Sequence, residues 1–332
     1  MAMEDIASPY IWHSEYWARV LSQIENNKLP HALLFSGPVG VGKAKFGIAL
    51  AHLLLCQQPK EGIACGRCKS CLLNKSDTHP DFQPIGLEDK AKAIKIDQIR
   101  SLNSFMSKTP QQGGYRVVLI NPCNAMNVNA ANALLKTLEE PGSNSLLILV
   151  TDQINSVVPT IRSRCQHIAF TTPNHQEGLA WLGNIIPNSD EANTLLTLSG
   201  GSPLKALAIR ESGELELRHD IARDLTAILH KKSHSMAVAE SWKNHDIEQV
   251  LLWWQRLLND TIRSMINPIG DAQDNVTKGL VMVLLGHTST TSIFMLLDDL
   301  TKALQLARSS ANPNQQLLLE HLLNRWSQLP NL

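Results

Sequence analysis

The stretch GPVGVGKA, Gly37 to Ala44, carries the clearest indication of the fold in this chain. It follows the short apolar run ALLF at 32–35, and a helical pattern begins near Ala44. A strand, a glycine-rich loop, a lysine and a helix in that order are typical of a phosphate-binding loop, G-x-x-x-x-G-K-[ST], whose backbone N–H groups surround phosphates. The sequence predicts such a loop, with the following candidate phosphate-binding residues: Gly37, Gly40, Gly42 and Lys43. Ala44 stands where a Ser or Thr hydroxyl would bind Mg²⁺.

The pattern around the loop predicts an α/β domain. Apolar runs at 116–121, 146–151 and 166–170 are expected to form three more buried strands, with helical patterns between the runs. Strands that alternate with helices indicate a parallel sheet covered on both faces. No convincing strand follows Phe170, and the rest is expected to be helical. Three apolar stripes there are predicted core: Leu251, Trp254, Leu258 and Ile262; Leu296, Leu300, Ala303 and Leu304; Leu318, Leu322 and Trp326.

The composition excludes several classes of protein. With 30 Lys and Arg against 30 Asp and Glu, no net charge draws the whole chain to nucleic acid. No apolar run approaches the roughly 18 residues of a membrane span, and the first residues do not resemble a signal peptide. We therefore expect a soluble cytoplasmic protein, in which clustered cysteines indicate metal binding or catalysis more often than disulfides.

The metal half of a nucleotide site is missing from the sequence. An ATPase needs a carboxylate at the end of a neighbouring strand to hold Mg²⁺ and help orient water. The run RVVLI is instead followed by Asn121, Pro122, Cys123 and Asn124. Together with Ala44, this predicts that the chain has no ATPase activity of its own and that binding of ATP and Mg²⁺ is doubtful. The alternative is a variant site that holds Mg²⁺ through water.

Four cysteines with the spacing C-x8-C-x2-C-x2-C predict a closed structural Zn²⁺ site, with these candidate ligands: Cys56, Cys65, Cys68 and Cys71. An iron–sulfur cluster is the main rival, although nothing else in the sequence indicates redox chemistry. His52 and His79 flank the cluster and are interpreted as ordinary histidines, because four thiolates complete the set. Cys123 and Cys165 are expected to be small buried residues.

Several stretches together resemble bacterial clamp-loader subunits of the AAA+ superfamily. They are GPVGVGKA, the cysteine segment, THPDF at 78–82, AANALLKTLEEP at 130–141, RSRC at 162–165 and, more weakly, NPNQQLLLEHLL at 312–323. The delta-prime family of DNA polymerase III subunits is the best match, because the ATPase gamma/tau subunits are expected to keep the hydroxyl and the acidic strand end. The loader ATPases have an arginine in the lid motif G-S-x-R, and in this sequence Leu204 replaces that arginine after Gly201, Ser202 and Pro203.

The resemblance implies a function in DNA replication. In that family, five subunits form a ring that uses ATP to open the sliding clamp and place it on primed DNA. The chain would be a stator, a rigid subunit without its own ATPase activity, partnered by gamma/tau and delta subunits and reaching DNA through the assembly.

The same resemblance assigns a role to Arg164. The motif Ser163, Arg164, Cys165 matches the family's arginine finger, which stabilises charge on the phosphoryl group in the neighbouring subunit's ATP site. The alternative is an ordinary surface or salt-bridging arginine. Glu139 and Glu140 are interpreted as a helix end that faces solvent or an interface, because Pro141 stops the helix.

We expect three domains: an AAA+ α/β domain with a zinc knuckle at 1–170, a small helical lid at 171–210 and a helical collar at 211–332 that oligomerises. Two other functions remain open. An active gamma/tau-type loader ATPase or DNA-dependent ATPase needs the groups that are missing here. A zinc-knuckle nucleic-acid binder predicts salt-sensitive DNA affinity, against which the balanced net charge argues.

Overall fold

The computed structural model describes residues 8–89, 91–112, 114–266, 275–285, 288–308 and 313–329. The chain divides into two compact units. The first comprises Met1–Ile185 with Ser199–Ala206, and the second Ile186–Leu198 with Leu207–Leu332. In the part of the chain described, no helix is both long and apolar enough to span a bilayer.

The first unit is built on a five-stranded parallel sheet. Its strands are β1 (Ala32–Ser36), β2 (Phe82–Ile85), β3 (Arg116–Ile120), β4 (Ser145–Thr151) and β5 (Gln166–Ala169). Their order across the sheet is β2-β3-β4-β1-β5, so β1 lies between β4 and β5, with Leu34 opposite Leu149 and His167. The four predicted strands and the parallel sheet are confirmed.

Helices alternate with these strands. They are α1 (Ser14–Glu25), α2 (Lys43–Leu55), α3 (Lys69–Lys75), α4 (Ile96–Met106), α5 (Val128–Glu139), α6 (Pro159–Arg162) and α7 (His175–Gly183). Short 3-10 turns lie at Ile11–His13, Cys123–Ala125 and Ile154–Ser156. Because successive strand residues point to opposite faces, Leu33 and Phe35 pack with α1 and α2, whereas Leu34 packs with α4 and α5. Both faces of the sheet are thus covered, as parallel sheets require.

The edge strand β2 was not predicted. Its sequence, FQPI, is neither a continuous apolar run nor a regular alternation. Pro84 is compatible with an edge strand, which needs ladder hydrogen bonds on one side only. A buried ion pair lies at this edge: the Arg116 Nη2 is 3.3 Å from the Asp81 Oδ1, and both side chains are almost fully buried. The Asp81 carboxylate also accepts hydrogen bonds from the backbone N–H groups of Gln111 and Gln112.

The secondary-structure elements described in the second unit are all helices. It holds α8 (Ser189–Leu198), most of α9 (Pro203–Glu211), α10 (Glu214–Leu229), α11 (Ser235–Trp242), α12 (Ile247–Ile266), α13 (Asn275–Leu285), α14 (Thr290–Arg308) and α15 (Gln315–Gln328). The predicted stripes on α12 and α14 are buried. On α15 the prediction is wrong by one residue: Leu319 is buried with Leu322 and Trp326, whereas Leu318 is only half-buried.

Candidate functional site

The predicted phosphate loop lies where β1 ends and α2 begins. Gly37, Gly40 and Gly42 have φ angles of 143°, 80° and 96°, which favour glycine at each position. Gly42 is the N-cap of α2 and Lys43 its first residue. The loop therefore has the strand–loop–helix setting in which backbone N–H groups and a helix N-terminus favour an anion.

The Lys43 ammonium is fully engaged by the protein. Its Nζ donates to the carbonyl oxygens of Gly37 at 2.8 Å and Pro38 at 2.6 Å, and to the Asp152 Oδ1 at 2.6 Å. An ammonium has three N–H donors, so these three contacts saturate it. The Lys43 side chain is 3% exposed and the Asp152 side chain 42%.

Sequence reasoning missed Asp152. Asp152 could have been identified from its position, because it is an acidic residue that directly follows the last residue of the predicted strand β4. The carboxyl ends of β1 and β4 are neighbours in a parallel sheet, which brings Asp152 to the lysine that follows the loop. The carboxylate in this site thus lies directly after β4, whereas a metal-binding carboxylate is expected at the end of β3.

Two other segments hold the loop in place. The indole Nε1 of Trp12 donates to the Val41 carbonyl oxygen at 2.9 Å, and the backbone N–H of Leu204 donates to the Gly40 carbonyl oxygen at 3.1 Å. A Cβ added at Gly42 would lie 2.5 Å from the Tyr10 ring. Leu204, which stands where the resemblance expects a lid arginine, therefore contacts the loop through its backbone.

The positions expected to hold Mg²⁺, Ala44 and residues 121–124, carry no group that replaces the missing hydroxyl and carboxylate. Ala44 lies in the first turn of α2 and offers no hydroxyl. After β3, the Asn124 Oδ1 accepts a hydrogen bond from the Thr151 hydroxyl at 2.8 Å, and residues 121–124 contain no carboxylate. This arrangement contains a lysine–carboxylate pair but lacks both groups expected to hold Mg²⁺.

The four cysteines form one cluster. Their Sγ atoms all lie within 4.8 Å of one another, and the Cys56–Cys68 and Cys65–Cys71 Sγ pairs are each 3.9 Å apart. Four thiolates about 2.3 Å from a central Zn²⁺ would form a tetrahedron with edges of about 3.8 Å, so the arrangement fits zinc.

Local backbone geometry prepares this cluster for metal. The N–H groups of Cys65, Cys68 and Cys71 donate to the sulfurs of Cys56, Cys65 and Cys68, respectively. Hydrogen bonds from the backbone of Arg67 and Cys68 lower the pKa of Cys65 to about 6, whereas burial raises the pKa of Cys71. Bound zinc would cross-link the loop before α3 to the end of α2, a structural role.

The remaining histidines and cysteines lie outside that cluster. Among the residues described, the metal-competent group contains only the four cysteines, so His52 and His79 are not among its members. His79 is buried, and its Nδ1 accepts a hydrogen bond from the Asp81 backbone N–H. Burial raises the pKa values of Cys123 and Cys165 to about 12, which keeps both thiols protonated.

Arg164 lies beside β5, away from the loop in sequence and accessible to solvent. Its Nη2 donates to the Glu139 Oε1 at 2.8 Å, and its Nη1 donates to the Thr160 carbonyl oxygen at 3.1 Å. Its side chain is 37% exposed. Glu139 is the last residue of α5, so this helix end faces solvent and an arginine. Two of the five guanidinium N–H donors are used here.

Comparison with known families covers most of the chain. Residues 12–174 match the model described as "DNA polymerase III, delta subunit", and residues 212–328 match "DNA polymerase III, delta subunit, C terminal".

Individual relatives are similar along nearly the whole chain. The DNA polymerase III subunit delta' of Pseudomonas aeruginosa is 35% identical over 328 residues, 98% of this chain and 99% of the relative. That of Escherichia coli is 30% identical over 321 residues, 95% of this chain and 94% of the relative. A solved structure, the DNA polymerase III gamma subunit-related protein of Thermotoga maritima, has 16% identity and a TM-score of 0.44, with 94% of this chain and 99% of that one covered. The family models and the relatives agree, and the chain belongs to the family of DNA polymerase III delta-prime subunits.

Proposed function

We propose that this chain is the stator subunit of the DNA polymerase III clamp loader and has no ATPase activity of its own. The observation that carries the proposal is the structure of the phosphate loop. Lys43 is hydrogen-bonded to Asp152, and Ala44 and residues 121–124 lack the groups that hold Mg²⁺. Phosphoryl transfer depends on that metal and on a free loop lysine, so this site is unsuited to hydrolysis.

The chain contributes to ATP hydrolysis in a neighbouring subunit through Arg164. Three guanidinium N–H donors remain after the contacts with Glu139 and Thr160, and an exposed arginine is able to reach a partner's phosphate. An arginine donated from a neighbour stabilises the charge that spreads over the transferring phosphoryl oxygens. Family membership supports this role over that of an ordinary surface ion pair.

The assembly that we propose is a cytoplasmic ring of five subunits. The chain contacts gamma/tau and delta subunits, and it acts on the sliding clamp and primed DNA through the assembly. Its three functional domains are the α/β domain at 1–170, the lid at 171–210 and the oligomerising collar at 211–332. Zinc held by the four clustered cysteines stabilises the first of these, and the knuckle is not a separate nucleic-acid binding module.

The experiment is reconstitution with the gamma/tau and delta subunits, followed by ATP turnover with clamp and primed DNA. Replacing Arg164 by Ala should slow hydrolysis at the neighbour's site by about 1,000-fold, the lower end of measured arginine-finger effects. Arg162→Ala, two residues away, is the matched control and should retain turnover. If both variants assemble and turn over ATP like the parent, Arg164 has no role in hydrolysis. If the isolated parent chain hydrolyses ATP like a gamma/tau subunit, the stator assignment fails.

A further inference from the structure

The third N–H donor of the Lys43 ammonium distinguishes this loop from one that is free to bind a phosphate. Two N–H groups of the ammonium reach the carbonyls of Gly37 and Pro38 and so fix the loop to the lysine that follows it. The remaining N–H is the one left to neutralise a phosphate oxygen. In this chain that donor is already bonded to the Asp152 Oδ1 at 2.6 Å.

We infer that Asp152 is the resident anion of the phosphate loop, and that this carboxylate closes the loop to polyphosphates. The inference deepens the proposed function and rests on it, since a closed loop would explain why a chain with the expected glycines and lysine has no ATPase activity of its own. A carboxylate oxygen, like a phosphate oxygen, is an anionic acceptor of charge-assisted hydrogen bonds from the lysine ammonium.

The negative charge of Asp152 opposes phosphate binding in addition to its hydrogen bond with Lys43. A phosphate brought to Lys43 would lie close to the Asp152 carboxylate, and two like charges that lie close together repel each other. The Asp152 side chain is 42% exposed, so water screens part of this repulsion and the remainder weakens phosphate binding. An incoming polyphosphate must therefore both displace Asp152 and remain beside it.

The packing around the loop keeps it in this closed state. Hydrogen bonds from Trp12 and Leu204 hold the carbonyls of Val41 and Gly40, and the Tyr10 ring lies against Gly42. The Lys45 ammonium lies 4.1 Å from the centre of that ring, which adds a cation–π contact over the loop. These contacts hold the backbone while leaving Asp152 as the group whose removal changes the charge of the site.

The test is calorimetric titration of the full chain with two probes, inorganic tripolyphosphate and ATP. Asp152→Asn keeps the shape and an oxygen acceptor but removes the charge, so tripolyphosphate should bind at least about tenfold tighter than to the parent. Asp97→Asn is the matched control, because Asp97 also pairs with a basic side chain, Arg100, but on the surface of α4. It should bind like the parent. The double variant Lys43→Met with Asp152→Asn should lose the gained affinity, which places the probe in the loop.

Two results would overturn the inference. One is tight binding of ATP or tripolyphosphate by the parent that Asp152→Asn leaves unchanged. The other is a folded Asp152→Asn variant, verified by its circular dichroism and thermal unfolding, that gains no affinity for tripolyphosphate. Neither result bears on Arg164, whose effect on turnover is measured in the reconstituted assembly, so failure of this inference is separable from failure of the stator assignment.

Discussion

His13 is a buried imidazole that lies among aromatic side chains near the phosphate loop. Its ring contacts Tyr10, Tyr16, Phe46 and Phe170 edge-on. Burial, reinforced by the nearby positive charges of Lys43 and Lys45, lowers the pKa of His13 from 6.5 to about 4. The folded chain therefore keeps this imidazole neutral in a pH range where the unfolded chain protonates it.

The sign of the resulting pH dependence follows from that difference. Between pH 6.5 and pH 4 the unfolded state binds more protons, so the free energy of unfolding falls as the pH falls, by about 3 kcal/mol at most. In His13→Phe, which keeps an aromatic ring, this part of the pH dependence should disappear. Urea unfolding at pH 7 and pH 4.5 measures it, and the exposed His245→Gln should behave like the parent. An unchanged pH dependence in His13→Phe would show that folding does not lower the pKa of His13.

At the scale of elements, the zinc knuckle, residues 56–71, joins the end of α2 to α3. Because the four sulfur atoms lie within 4.8 Å of one another, which fits a tetrahedral zinc site, the chain should hold about one Zn²⁺. Cys71→Ala removes a buried corner and should lower the bound metal well below one ion per chain, whereas Cys165→Ala should leave the metal content unchanged. Elemental analysis and the thiolate absorption of Co²⁺-substituted protein report the result. Retained Co²⁺ thiolate absorption in Cys71→Ala, or iron in the parent, would contradict the site.

At the edge strand β2, a buried ion pair between Asp81 and Arg116 stabilises the fold. Removing one member leaves the other charge buried, so Asp81→Ala should destabilise the first unit by about 3–5 kcal/mol. Asp97→Ala, which breaks the exposed pair with Arg100, should cost about 1 kcal/mol or less. Urea unfolding compares the two. Similar small losses in both variants would mean that Asp81 contributes no more than a surface ion pair.

Several elements could be predicted from the sequence because their signals are local. Strand β1, the glycine loop and the four-cysteine spacing each lie within one short segment of the chain, and the structure confirms the strand and the cysteine cluster. β2 could not be predicted, because FQPI has no strand pattern and Asp81 finds Arg116 only after folding. Asp152 was missed for the same reason: its partner lies 109 residues earlier and is brought near by strand order. On α15, adjacent leucines made the buried face ambiguous by one position.

At the scale of the whole molecule, the proposed function divides the two halves of an ATP site between two chains. This chain has a phosphate loop whose lysine is bonded to Asp152, and it has Arg164 at an exposed position beside β5. In a subunit that binds and hydrolyses ATP, the loop lysine is essential and its loss abolishes turnover. In the stator that we propose, the loop lysine would matter less than Arg164, because that arginine would act on the neighbour's phosphate.

The most direct test of this claim compares Lys43→Met with Arg164→Ala in the reconstituted assembly, with clamp-stimulated ATP turnover as the readout. Assembly and folding of both variants are checked first, because Lys43 is buried. The proposed division of roles predicts turnover close to that of the parent for Lys43→Met and loss of turnover at the neighbouring site for Arg164→Ala. Loss of turnover in Lys43→Met with parental turnover in Arg164→Ala would contradict it, since the chain would then be working as an ATPase.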